Sequence, residues 1–277
     1  MQEVHHHCRP HQPPLPTALT IGGSDSSGGA GIQADLKTFT ACGVYGASAI
    51  SALTVQNTLG VSGVVLTEPG FLMKQIRAVL MDLPVAAVKT GMLATRKLIQ
   101  TVAETIKLDN AQPLVVDPVM LAKGGDALVD DDAIDAMVEH LLPLAAVATP
   151  NRHEAARILG RQLALADPDD WLFAAREICE KTGAASCVVK GAKVGHEAVD
   201  AFFDGRNARL LKTHWTQTRA LHGSGCTFSA AICAKLAMGE PLDAAVWQAK
   251  QFVTRAIASP TNLGGGIGPV NVLAGPE

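Results

Sequence analysis

The run His222-Gly223-Ser224-Gly225-Cys226-Thr227 stands directly before an apolar stretch of helical length. Glycines at a helix start expose unpaired backbone N–H groups, and the helix dipole adds partial positive charge, so an oxyanion or phosphoryl group is stabilised there. Gly223, Ser224, Gly225 and Cys226 are therefore candidates for an anion hole that binds phosphate. A thiol in that first turn has its thiolate favoured by the same dipole and could act as base or nucleophile. The other reading of Cys226 is a buried structural thiol. Cys8, Cys42, Cys179, Cys187 and Cys233 lack such surroundings and read as structural.

A second glycine-rich segment, Gly-Gly-Ser-Asp-Ser-Ser-Gly-Gly-Ala-Gly at 22–31, follows an apolar run and precedes a helical stretch. Glycines there let backbone approach a ligand closely, and open α/β sheets bind ligands beyond the carboxyl ends of their strands. A dinucleotide site would need an acidic residue at the end of the second strand. That strand ends in Thr54-Val55-Gln56-Asn57, without an acid, which argues against it.

Apolar runs of strand length at 18–21, 47–54, 86–89, 114–119, 145–149 and 187–190 must position these groups. They alternate with amphipathic helical stretches at 32–41, 69–81, 95–106, 131–142, 152–159 and 170–181. Such alternation predicts repeated βα units and a mostly parallel sheet flanked by helices. Gly43, Gly160 and Gly183 supply helix stops. Short runs at 199–203 and 208–212 flank Asp204-Gly205-Arg206-Asn207, which predicts a hairpin and antiparallel strands at one sheet edge. Helices follow at 226–238 and 242–259, with Gly239 and Pro241 between them.

With 277 residues, 48% of them hydrophobic, the chain can bury an extensive core, and one domain over 17–277 behind a disordered tail at 1–16 is expected. The formal charge of -3 and the lack of a dense Lys/Arg stripe argue against nucleic acid or an anionic membrane as partner. The 6 cysteines have no paired metal-ligand spacing, which suggests reduced thiols and a cytoplasmic enzyme. No apolar stretch approaches the ~20 residues that span a bilayer. His5, His6, His7, Cys8 and His11 are metal-binding types, but read more simply as part of a solvated tail.

The segment 18–39, which opens Ala-Leu-Thr-Ile-Gly-Gly-Ser-Asp, resembles the start of the hydroxymethylpyrimidine/phosphomethylpyrimidine kinases of thiamine biosynthesis, within the ribokinase-like superfamily. Further matches follow in order: Thr54-Val55-Gln56-Asn57-Thr58, Lys89-Thr90-Gly91-Met92-Leu93, Asp117-Pro118-Val119-Met120, Asn151-Arg152-His153-Glu154, Val189-Lys190-Gly191, the 222–227 run and Gly266-Ile267-Gly268-Pro269-Val270. Together they span about 17–272. The resemblance implies a three-layer ribokinase-like sandwich, ATP as phosphoryl donor, Mg2+, and usually a homodimer. It implies phosphorylation of the small-molecule pyrimidine 4-amino-5-hydroxymethyl-2-methylpyrimidine to its monophosphate and then to the diphosphate.

Carried onto this chain, the resemblance puts Cys226 where most of the superfamily has a catalytic aspartate. It makes Gln56 the pyrimidine reader, whose amide offers a donor and an acceptor to a 4-aminopyrimidine edge. Gly23, Asp35, Met92 and Val119 would line the substrate pocket, and Lys190, at a strand end, would contact phosphate. Glu154 and Asp117 would stand in the Mg2+ environment, since a hard cation prefers carboxylate and water oxygens. The Asn151–Glu154 spacing is equally that of a capping box. Residues 118–126, with Lys123, Gly124 and Gly125, could form a flap. A pyridoxal kinase of the same branch is the close alternative. Such enzymes use a second cysteine on the flap, where this chain reads Met120-Leu121-Ala122-Lys123. A catalytically silent ligand-binding homologue is the alternative from another class; Cys226, Lys190 and Glu154 together argue against it.

Overall fold

A computed structural model describes residues 15–108, 112–120, 131–163 and 167–275. The predicted alternation appears as β1 (Thr17–Asp25), α1 (Gly31–Ala41), β2 (Tyr45–Asn57), β3 (Gly60–Leu66), α2 (Pro69–Leu80), β4 (Val85–Thr90), α3 (Arg96–Leu108) and β5 (Leu114–Val116). It continues with α4 (Asp131–Ala136), β6 (Val147–Ala148), α5 (Arg152–Leu159), α6 (Pro168–Thr182), β7 (Cys187–Val194), β8 (Glu197–Phe203) and β9 (Ala208–His214). Then come β10 (Ala220–His222), α7 (Ser224–Ala237), α8 (Leu242–Ala258) and β11 (Gly268–Pro269).

Among the described residues one sheet runs in the order β3-β2-β1-β4-β5-β6-β7-β8-β9. Strands β2 to β7 of that order are parallel, while β3, β8 and β9 join antiparallel. The side-chain period of two sorts the strands' apolar residues between two cores. Leu19, Ile21, Val88, Leu114 and Val116 pack under α2 to α6, whereas Ala18, Ala87, Val115 and Val188 pack under α1, α7 and α8. This is the three-layer ribokinase-like sandwich expected. No helix of the described residues is long and apolar enough to cross a membrane. Cys42, Cys179, Cys187, Cys226 and Cys233 form no disulfide.

Several elements differ from the sequence reading. Gly22 to Asp25 continue β1, paired with β2 through a bulge after Gly22, so the glycine-rich loop proper is shorter. Strand β3 was not expected, because glycines at 60 and 63 break its apolar pattern. The helix expected over 131–142 ends at Ala136 and passes through a π turn, Met137–Leu141, into a 3-10 turn, Leu142–Leu144, where Pro143 has no N–H to continue an α-helix. Lys190 is not at a strand end but inside β7, at an irregularity in its pairing. The flap expected over 118–126 lies outside the described residues beyond Met120, as do all the tail histidines and Cys8.

Candidate active site

The carboxyl ends of β1, β4, β5 and β7, with the start of α7, surround a cavity of about 390 Å³. The described residues given a site role from the sequence all line it: Gly23, Asp35, Gln56, Met92, Asp117, Val119, Glu154, Lys190, and Gly223 to Cys226.

The anion-hole geometry starts from Gly223, the residue before α7, whose φ of 74° is left-handed and costs a non-glycine residue strain. It provides no side-chain cap, leaving the first-turn amides of α7 without a competing side-chain acceptor. The turn is locked against the glycine-rich loop. His222 Nε2 lies 2.8 Å from Asp25 Oδ2, and Asp25 also accepts from the amides of Ser27, Gly29 and Ala30. Burial alone would raise the Asp25 pKa, but the bonds from His222 and Ser27 outweigh it and hold the carboxyl below its ordinary value. Asp25 and His222 lie within the two quoted motifs, but neither was given a role of its own from the sequence.

Lys190 donates to Asp117 Oδ1 at 2.8 Å, and its ammonium would lie 3.4 Å from a Cβ added to Gly225. A positive charge thus stands against the first turn of α7. Burial disfavours that charge, yet Asp117 and Glu154 hold the Lys190 pKa above normal. Asp117 is more committed than expected, since Thr149 and Ser229 also donate to it at 3.1 and 3.2 Å.

Asp35 lines the cavity, as expected, but its carboxylate is already engaged. Its carboxylate is 1% exposed and accepts from Lys89 at 2.7 and 2.8 Å and from Thr20 at 2.6 Å. It is spent on a buried ion pair, so it shapes the pocket floor rather than presenting an unengaged carboxylate. Breaking such a pair costs about 3–5 kcal/mol. Lys89 was overlooked, although a single lysine in the buried strand Val-Ala-Ala-Val-Lys-Thr signals a partner.

For Cys226 the sequence left open a base or a structural thiol, and the structure shows what weighs on its charge. The residue keeps part of its surface on the cavity, but burial pushes the thiol up to about 11, with Lys89 pulling the other way. Desolvation disfavours the thiolate, and the thiol is the resting form.

Gln56 lines the cavity half-buried, as does Val119, and Met92 lines it buried. The Thr54 hydroxyl lies 3.1 Å from Gln56 Oε1, and the Gln56 backbone N–H donates to the Ser26 hydroxyl at 3.0 Å. The reader is therefore tied to the glycine-rich loop.

Asn151 and Glu154 form the complete capping box of α5. Burial pushes the Glu154 carboxyl up to about 7, with Lys190 only partly offsetting it. A buried carboxyl short of positive partners suits a cation. Among the described residues no three His, Cys, Asp or Glu cluster to hold a metal ion. Mg2+ would therefore depend on phosphate and water oxygens as well as Glu154 and Asp117, as this small cation usually does. Glu154→Gln preserves a competent capping residue and is expected to raise the Mg2+ concentration for half-maximal activity about tenfold or more. A magnesium titration at fixed ATP checks this, and an unchanged midpoint would leave Glu154 with capping alone.

Residues 25–271 match the family model described as phosphomethylpyrimidine kinase. A hydroxymethylpyrimidine/phosphomethylpyrimidine kinase from Rhizobium meliloti (strain 1021) is 49% identical over 257 residues, covering 92% of this chain and 96% of that relative. The crystal structure of an ADP complex of Bacillus subtilis pyridoxal kinase superposes with a TM-score of 0.87 at 39% identity, covering 94% of this chain and 98% of that one. A phosphomethylpyrimidine kinase from Clostridium difficile 630 superposes at 0.76 with 41% identity, covering 87% of this chain and 99% of that one.

Proposed function

The chain belongs to the phosphomethylpyrimidine kinase family and is a phosphotransferase, and from that premise we propose that it phosphorylates 4-amino-5-hydroxymethyl-2-methylpyrimidine twice, in thiamine biosynthesis. ATP is the donor in both steps, and Mg2+ supplies charge neutralisation on its phosphates. The observation that carries this reading is that one cavity joins the Gln56 amide to the Lys190 ammonium and the first turn of α7.

In the first step the substrate hydroxymethyl oxygen forms a bond to the γ-phosphorus, the bond to the ADP oxygen breaks, and the hydroxyl proton leaves toward Cys226 or water. Lys190 and the amides of Ser224 to Cys226 neutralise the charge that spreads over the transferring oxygens. In the second step a phosphate oxygen of the monophosphate attacks instead. Those same amides tolerate the new anion where the alcohol sat, so one site serves both steps once the substrate shifts by about one phosphate.

Met92 and Val119 offer apolar faces to the ring, while Gln56 pairs with the ring nitrogen and exocyclic amine. Gln56→Ala is expected to weaken pyrimidine binding by ~1–3 kcal/mol if that edge is buried, with ATP affinity unchanged. Separate calorimetric titrations decide it: equal losses for both ligands, or none, would remove Gln56 from substrate recognition.

A pyridoxal substrate is the second reading, favoured by the likeness to the Bacillus subtilis structure. The absence of cysteine from 118–126 favours the pyrimidine. The same reading takes 17–277 as one kinase domain acting in the cytoplasm as a homodimer. The apolar side chains exposed on β2 and β3, including Leu53, Val55 and Val65, support pairing of copies.

A further inference from the structure

Lys190 stands where β7 breaks its register. The pairing of β7 with β8 runs Cys187↔Phe203, Val188↔Phe202 and Val189↔Ala201, then resumes at Ala192↔Val199. Lys190 and Gly191 together therefore oppose Asp200, which is a β-bulge. The cores record the consequence. Cys187 and Val189 face the α2–α6 layer and Val188 the α7–α8 layer, yet Ala192 faces the α2–α6 layer again, one residue later than strict alternation allows. Gly191 has φ of 97°, the left-handed region that glycine enters without penalty.

A bulge leaves a backbone donor outside the ladder, and here that donor is the Gly191 amide, since Lys190 pairs on its other side in a parallel bridge with Asn151. The Lys190 amide donates to Pro150 O at 2.9 Å, and the Gly191 amide donates to Asp200 Oδ1 at 2.8 Å. The other oxygen of Asp200 accepts from Lys250 Nζ of α8 at 2.7 Å, and both side chains are at most 8% exposed. A carboxylate thus stands in for a ladder acceptor at Gly191, and a buried ammonium holds it in place.

We propose that Asp200, held by Lys250, is a positioning residue that fixes the Lys190–Gly191 bulge and thereby sets the Lys190 ammonium against Asp117 and the first turn of α7. Asp200 and Lys250 line the same cavity, and in this proposal Asp200 acts through Lys190. The inference rests on the phosphoryl-transfer reading above.

Two double variants isolate the Gly191 bond. Asp200→Asn/Lys250→Met and Asp200→Leu/Lys250→Met both remove the buried ion pair, but only asparagine keeps an acceptor for the Gly191 amide. With ATP and the 4-aminopyrimidine alcohol, kcat of the leucine pair is expected about tenfold below that of the asparagine pair, since misplacement by about 1 Å costs up to ~10²-fold. The KM for the alcohol should agree within about twofold. In a Lys190→Ala background the two pairs should differ by less than about twofold, because the residue acted upon is gone. Equal kcat values for the two pairs, or the same tenfold gap without Lys190, would overturn the proposal. An inactive wild-type enzyme would instead refute the kinase reading itself.

Discussion

Cys226→Ala is expected to lower the rate of alcohol phosphorylation by ~10²–10⁴-fold, the usual contribution of a positioned proton acceptor, while the circular dichroism spectrum stays unchanged. The thiol is held up at about 11, so at neutral pH the thiolate is a small fraction of the enzyme. Below that value the fraction rises tenfold with each pH unit. The wild-type rate from the alcohol should therefore climb with pH above neutrality, and Cys226→Ala should flatten the climb. The monophosphate already carries an anionic oxygen near neutral pH and needs a base less. Its phosphorylation should suffer less in the same variant. Equal losses in both steps would strip Cys226 of the role of base and leave it a packing residue of the anion hole.

Gly223→Ala is expected to reduce turnover in both steps by ~10²-fold or more. A Cβ on residue 223 would lie 1.9 Å from the Gly29 carbonyl oxygen, and the backbone there is left-handed. Strain of ~1–3 kcal/mol and the clash must be relieved by moving the α7 start away from the glycine-rich loop. A displacement of about 1 Å among groups that orient a phosphoryl group costs ~10²-fold. The loss should appear equally from alcohol and monophosphate, unlike that of Cys226→Ala. Steady-state rates from each substrate make the comparison, and retention of wild-type rates would show that the first turn of α7 does not hold the transferring group.

Local signals made much of the fold legible. Helix α5 was read to the residue because Asn151 caps its start and Gly160, with φ of 74°, ends it. The hairpin of β8 and β9 announced itself through Asp204-Gly205-Arg206-Asn207. The pairings of the charged residues were not legible. Asp35 and Lys89 are far apart in sequence, as are Asp200 and Lys250, and each is a single charge in an apolar context whose partner only the sheet topology brings near. The β7 bulge was hidden for the same reason, since a register shift depends on the neighbouring strand. Burial around Cys226 was not legible either, because desolvation is a property of the packed site and not of the local sequence.

The most direct test of the twice-acting kinase follows products by mass spectrometry after mixing the enzyme with Mg-ATP and 4-amino-5-hydroxymethyl-2-methylpyrimidine, with pyridoxal in a parallel reaction. The monophosphate should appear first and decline as the diphosphate accumulates, at rates well above phosphorylation of pyridoxal. A reaction that stops at the monophosphate, or that phosphorylates pyridoxal and leaves the pyrimidine untouched, would contradict the account.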